Sequence, residues 1–148
     1  MPRNFSILSS LLTLAVLVLA AQTTQAQQQH AAHHASQLTK CAKVCADCQL
    51  ECDSCFAHCL KLLADGKKEH VATAQLCADC AECCKTCATL CARQSPLAGH
   101  MLECCAKCCD QCAEACAKFP DDAHMAKCAK ACQECAKHCR ETLKQLGK

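Results

Sequence analysis

The sequence contains no Trp and no Tyr, and only 3 Phe in 148 residues. A core packed on aromatic rings is therefore excluded. Leu, Ile and Val, which fill ordinary interiors, are scarce beyond residue 40. No strand pattern is present, so the strand-then-helix setting of a catalytic Cys-x-x-Cys pair is missing. No Ser-His-Asp or Cys-His-Asn arrangement stands out, and nothing points to an enzyme. An excess of one charge is absent too: 16 Lys and Arg face 14 Asp and Glu, a net +2. Removing residues 1–26 removes only Arg3 and leaves +1. A near-neutral chain gives no reason to expect nucleic acid or anionic lipid as a partner.

What the chain has instead is cysteine, 22 residues of it. That density marks a disulfide scaffold or a metal site, and the length bounds the chain to one domain. The N-terminus reads as a secretory signal peptide over residues 1–26. Arg3 supplies the positive start, Ile7 to Ala21 the apolar run, and Thr24-Gln25-Ala26 small residues for cleavage. The run is short for a membrane span. It has no twin-arginine pair, so a Sec-like route to the periplasm or the medium is expected. Residues 27–36, with His30, His33 and His34, are expected to form a flexible polar lead, and residues 37–148 the folded domain.

The cysteines fall into four groups with one rhythm. The first is Cys41, Cys45, Cys48, Cys52, Cys55 and Cys59. The second is Cys77, Cys80, Cys83, Cys84, Cys87 and Cys91. The third is Cys104, Cys105, Cys108, Cys109, Cys112 and Cys116. The fourth is Cys128, Cys132, Cys135 and Cys139. Alternating steps of three and four draw one stripe along an α-helix. Cys83, Cys104 and Cys108 are expected to widen that stripe. Ala, Lys, Glu and Gln between them favour helix. Gly66 can end the first helix, Ser95-Pro96 can cap and begin the third, Phe119-Pro120-Asp121 breaks the chain before the fourth, and Gly147 can end it. Helices of about Gln37–Ala64, Lys68–Arg93, Pro96–Lys118 and Asp121–Leu146 follow. Short connections make neighbours antiparallel. The expected fold is all-α, an antiparallel up-down-up-down four-helix bundle with a cysteine-lined core.

Three uses of such a stripe compete. A disulfide scaffold suits a secreted chain. However, cysteines at i and i+4 hold their Cβ atoms about 5–6 Å apart, beyond the roughly 3.5–4.5 Å a disulfide wants. Zinc and iron–sulfur sites use discrete sets of four ligands, whereas these rows are continuous. Cu(I) is soft and takes thiolate readily. It accepts low coordination, and one sulfur can bridge two ions. One Cu(I) per thiolate also leaves the interior uncharged. Cu(I), about one ion per cysteine, is the favoured cargo. Zinc or iron–sulfur binding and a disulfide-stapled structural domain stand as alternatives.

The repeated spacings, such as Cys41-Ala-Lys-Val-Cys45 and Cys45-Ala-Asp-Cys48, resemble those of the bacterial copper storage proteins over about Leu38 to Leu146. The resemblance implies a four-helix bundle holding many Cu(I) ions, a storage role and a homotetramer. The signal departs from the Tat type associated with exported members.

Antiparallel topology also sorts the bundle ends. Leu38, Leu97, Leu102, Leu143 and Leu146 are expected to plug one end, near His100 and Met101. His58, His70, His124, Met125 and Phe119 gather at the other. Met125 and His70 stand in phase with the stripe, and imidazole and thioether are weaker ligands suited to passing ions inward. His58, His70, His124 and Met125 are the candidate entrance ligands. His138, beside Cys139 and off the seam, is expected to face solvent.

Overall fold

The computed structural model describes residues 5–147. Arg3 lies outside the described residues, as do the side chains of Ile7 to Ala21, Ala26 and His30. The elements are α1 (Phe5–Ala64), a 3₁₀ turn (Lys68–His70), α2 (Val71–Ala92), α3 (Ala98–Cys116) and α4 (Ala123–Gln145). The chain divides into two units, residues 1–35 and 36–148.

The first unit is helical from Phe5, including residues 27–35 of the expected flexible lead. The sequence explains it. No Gly or Pro occurs between Arg3 and Asp65, and Ala and Gln, which dominate this stretch, are good helix formers. The rings of His33 and His34 stand 6.3 Å apart. Among the described residues no helix is long and apolar enough to cross a membrane.

The second unit is the four-helix bundle, and its core is cysteine and alanine with few larger side chains. Sulfur contacts report the register. Along α1 and α4 the pairs are Cys41–Cys139, Cys48–Cys132 and Cys128–Cys52. Along α2 and α3 they are Cys77–Cys116, Cys80–Cys109 and Cys84–Cys105. Numbers rise on one helix as they fall on the other, so both pairs are antiparallel. Cys55 of α1 meets Cys116 of α3 near the C-terminal end of each, so these two helices run together. The order is up-down-up-down.

The connections show why the helices stop where they do. At the end of α1 Lys67 N–H donates to Leu62 O and Gly66 N–H to Leu63 O, both at 3.0 Å. This paired closure needs a left-handed residue, and Gly66 supplies it at φ 84°. The end of α2 uses the same closure, Ser95 N–H to Leu90 O and Gln94 N–H to Cys91 O. Here Gln94 takes the left-handed position at φ 51° without being glycine.

Besides that of α1, the starts of the other three helices differ from expectation: Lys68–His70 form the 3₁₀ turn, and α2 begins only at Val71. Helix α3 begins at Ala98 rather than Pro96, because Ser95 closes a turn first: its carbonyl accepts from Ala98 N–H at 2.9 Å and its Oγ from Leu97 N–H. Helix α4 begins at Ala123, capped by Asp122, whose carboxylate accepts from the N–H groups of His124 and Met125.

Candidate metal centre

All 22 cysteines are free thiols, and all but Cys83, Cys104 and Cys108 are buried. The other nineteen are at most 2% exposed. The reason is local: steps of three and four keep each row on one side of its helix, and that side faces the bundle axis. Cysteine and alanine are small, so helices α1 to α4 approach closely enough for sulfurs of different helices to meet at 3.5–4.0 Å.

The thiols group into sets of four whose sulfurs all lie within 4.8 Å of one another. These include Cys45, Cys87, Cys105 and Cys139; Cys48, Cys80, Cys84 and Cys109; Cys48, Cys52, Cys80 and Cys132; Cys52, Cys112, Cys128 and Cys132; and Cys55, Cys77, Cys116 and Cys128. Cys48, Cys52, Cys80, Cys128 and Cys132 each belong to two of these sets. Four of the five sets are thus joined by shared cysteines into a column, and Cys105 of the fifth lies 3.7 Å from Cys84 of its neighbour.

Proton sharing runs down the same column. Hydrogen bonds, chiefly from Cys112, hold the Cys116 thiol down to about 5. Hydrogen bonds with Cys109 and then Cys112 stabilise the protonated form of Cys132 and push it up. Burial pushes Cys59 up. A metal ion entering the column must displace these shared protons.

Cys83, Cys104 and Cys108 do not widen the core stripe. Cys83 and Cys108 are half-buried and Cys104 is exposed. Each stands one residue before a core cysteine (Cys84, Cys105 and Cys109) and so points about 100° away from it around the helix. The stripe is a single thread, and these three thiols lie on the outer flank of α2 and α3.

The expected entrance residues do come together at one end. His58 Nε2 lies 2.7 Å from Asp122 Oδ2, and the His58 ring stacks on His124 at 4.4 Å. Burial raises the Asp122 carboxyl, but the His58 hydrogen bond and the N–H groups of Met125 and His124 outweigh it, and its pKa is lowered. Met125 is fully buried. His70 is buried against Phe119, ring centroids 4.1 Å apart, and its Nδ1 has no hydrogen-bond partner. A surface depression lined by Leu62, Lys67, His70, Phe119 and Asp122 opens beside them.

At the other end Leu38 and Leu102 are buried, and Leu143, Leu146 and Met101 pack partly against the core. Leu97 is 59% exposed and is not part of the plug, because the Ser95 turn holds it ahead of the helix. His100 and His138 are exposed. Sequence reasoning missed two residues. Asp122 is the partner of His58 and the cap of α4; an Asp directly before a helical run is the signal that identifies it. Thr142 is buried at the Leu end, three residues beyond Cys139 and in step with the α4 stripe, so continuing the rhythm past the last cysteine is the signal that identifies it.

Comparison with known proteins gives a consistent picture. Residues 34–144 match the family model described as copper storage protein. Among solved structures, copper storage protein 3 of Bacillus subtilis in its apo form is 31% identical, with a TM-score of 0.64, and the match covers 70% of this chain and 96% of that one. The Cu(I)-bound copper storage protein BsCsp3 is also 31% identical, with a TM-score of 0.65 over 70% of this chain and 95% of that one. A cytosolic copper storage protein from Streptomyces lividans with five coppers is 26% identical, with a TM-score of 0.69 over 76% and 97%. A search of curated proteins finds no match. With three quarters of its length matched to one family model, and with its thiol column built on that family's four-helix frame, the chain belongs to the copper storage protein family.

Proposed function

We propose that this protein sequesters Cu(I), many ions per chain, on the nineteen buried thiols as cargo. The observation that carries the reading is the overlap of the four-sulfur sets: Cys48, Cys52, Cys80, Cys128 and Cys132 each serve two. A zinc ion takes four ligands at once, so even with shared sulfurs zinc would fill the column with far fewer ions than thiols. Cu(I) takes fewer ligands and tolerates bridging sulfur, so a column suits it. Charge points the same way. A zinc ion with four thiolates carries two net negative charges into a dry interior, which is costly; one Cu(I) per thiolate carries none. The role is storage rather than catalysis, because filled thiolates leave no open coordination position for a substrate.

The test is metal analysis of protein purified from cells grown with copper and zinc together, coupled to a thiol count with and without reductant. Copper in large excess over zinc, with thiols masked until copper is removed, is the expected result. Zinc at a few ions per chain would replace the copper reading.

Three finer readings belong to the same proposal. Cu(I) enters at the end carrying His58, His70, His124 and Met125, where weaker soft and borderline ligands join the thiol column. The protein is exported through a Sec-like signal over residues 1–26, testable by N-terminal sequencing of protein recovered from the periplasm or medium. It assembles as a homo-oligomer, a tetramer by family resemblance. Leu50 and Leu60 are exposed on α1 and offer apolar contact for it. Sedimentation measures the state.

A further inference from the structure

The three outer thiols have a geometry of their own. Cys83 Sγ on α2 lies 3.0 Å from Cys108 Sγ on α3, whereas the core contacts between helices run from 3.5 to 4.0 Å. Cys104 stands one helical turn before Cys108 on α3 and is exposed. Two sulfurs held by one ion must stand apart to admit it, with metal–thiolate bonds of about 2.3 Å on each side for zinc. At 3.0 Å the pair is tighter than any core contact between helices and needs to close by only about 1 Å to reach the disulfide bond length of about 2.04 Å. Cys83 and Cys108 are half-buried, so a small molecule reaches them, whereas the nineteen core thiols are at most 2% exposed.

We propose that Cys83 and Cys108 are a redox-modification site that closes to a disulfide between α2 and α3 by exchange with a small disulfide compound, leaving the core thiols reduced. One cysteine sulfur attacks the small disulfide, forming a mixed disulfide and releasing one thiol. The second cysteine attacks the protein-bound sulfur, forming the Cys83–Cys108 bond and releasing the second thiol. The protein loses two electrons and two protons, and both appear on the two released thiols. The bundle gains a covalent tie between two helices without spending a storage ligand. This goes beyond the storage reading and does not depend on which metal the core takes.

The test incubates the reduced, copper-free full chain, and the copper-loaded chain, with oxidised glutathione. Tryptic mapping and a free-thiol count then follow. The expected result is one cross-link, joining the Cys83 and Cys108 peptides in both samples, with all nineteen core thiols still titrating once copper is removed. Cys83→Ser and Cys108→Ser should each abolish the link, and Cys104→Ser should leave it. The proposal is overturned by a link through Cys104, by loss of core thiols, or by no cross-link. It is also overturned if copper loading blocks the link while C83S/C108S lowers copper content by one ion, which would make the pair a metal site. Because the wild-type map decides by itself, a variant that fails to fold does not spare the proposal.

Discussion

Met125 Sδ accepts a hydrogen bond from Cys55 Sγ at 3.5 Å, which places a thioether in the thiol column beside α1. His70, whose buried Nδ1 has no hydrogen-bond partner, stands at the same end, and under the proposed function the two act as a set of weaker ligands ahead of the first thiolates. Replacing His70 and Met125 together with Leu should slow Cu(I) loading and chelator-driven removal about tenfold, the effect of a barrier raised by about 1.4 kcal/mol. Final capacity should stay unchanged. Stopped-flow loading, compared with the matched pair His100 and Met101 replaced by Leu, checks this. Slowing by the second pair alone would reverse the bundle. Slowing by neither would move attention to the groove between α1 and α4 that reaches Cys48.

Capacity tests the bridged column. The reduced protein should take up on the order of one Cu(I) per cysteine, about 20 per chain, with the endpoint read by a chromophoric Cu(I) chelator. An endpoint of about five, the number separate four-thiolate sites allow, would refute bridging.

The reduced apoprotein should already be helical. Ala-rich helices form readily, buried thiols pack as small apolar groups, and the ends of α1 and α4 are closed by backbone and side-chain hydrogen bonds. Circular dichroism should show helix without metal, and copper at about 100 times its dissociation constant should add about 2.7 kcal/mol for each independent site filled. A coil spectrum would mean that the metal organises the fold.

Gln94 holds a left-handed conformation at φ 51°, which costs an L-residue about 1–2 kcal/mol relative to ordinary helical backbone. Gln94→Gly should therefore raise stability by about 1 kcal/mol, measured by urea unfolding of the reduced apoprotein. A loss of stability would show that the glutamine side chain compensates the strain.

Asp122 should matter through both its cap and its charge. Asp122→Ala should destabilise the apoprotein by about 1 kcal/mol, the usual cost of a lost N-cap, whereas Asn keeps the cap. The lowered carboxyl pKa sets the sign for the charge. The folded state holds the proton less tightly than the unfolded state, whose value is near 3.8. The stabilisation is thus complete above that value and vanishes as pH falls through the lower folded value. The gap between wild type and Asp122→Asn, measured by urea unfolding from pH 6 down to pH 2, should close at the acid end. A constant gap would assign the effect to hydrogen-bond geometry alone.

The sequence by itself determined the four bundle helices, their order and that cysteine lines the core. Steps of three and four admit only a helical stripe, and a chain with so few large apolar residues can bury only that stripe. The gathering of His58, His70, His124 and Met125 also followed from antiparallel order alone. Tertiary structure decided what spacing leaves open. A residue one place before the stripe sits about 100° around the helix, and whether that flank is covered depends on how closely the next helix packs. Hence Cys83, Cys104 and Cys108, read as part of the lining, proved to lie outside it, and only the crossing of α2 and α3 brings two of them to 3.0 Å. The pairing of His58 with Asp122 arises the same way, from residues 64 positions apart that meet because two helix ends are packed side by side. Periodicity sets direction within one helix; the distance between helices is set by the side chains of both, and no single row of the sequence contains it.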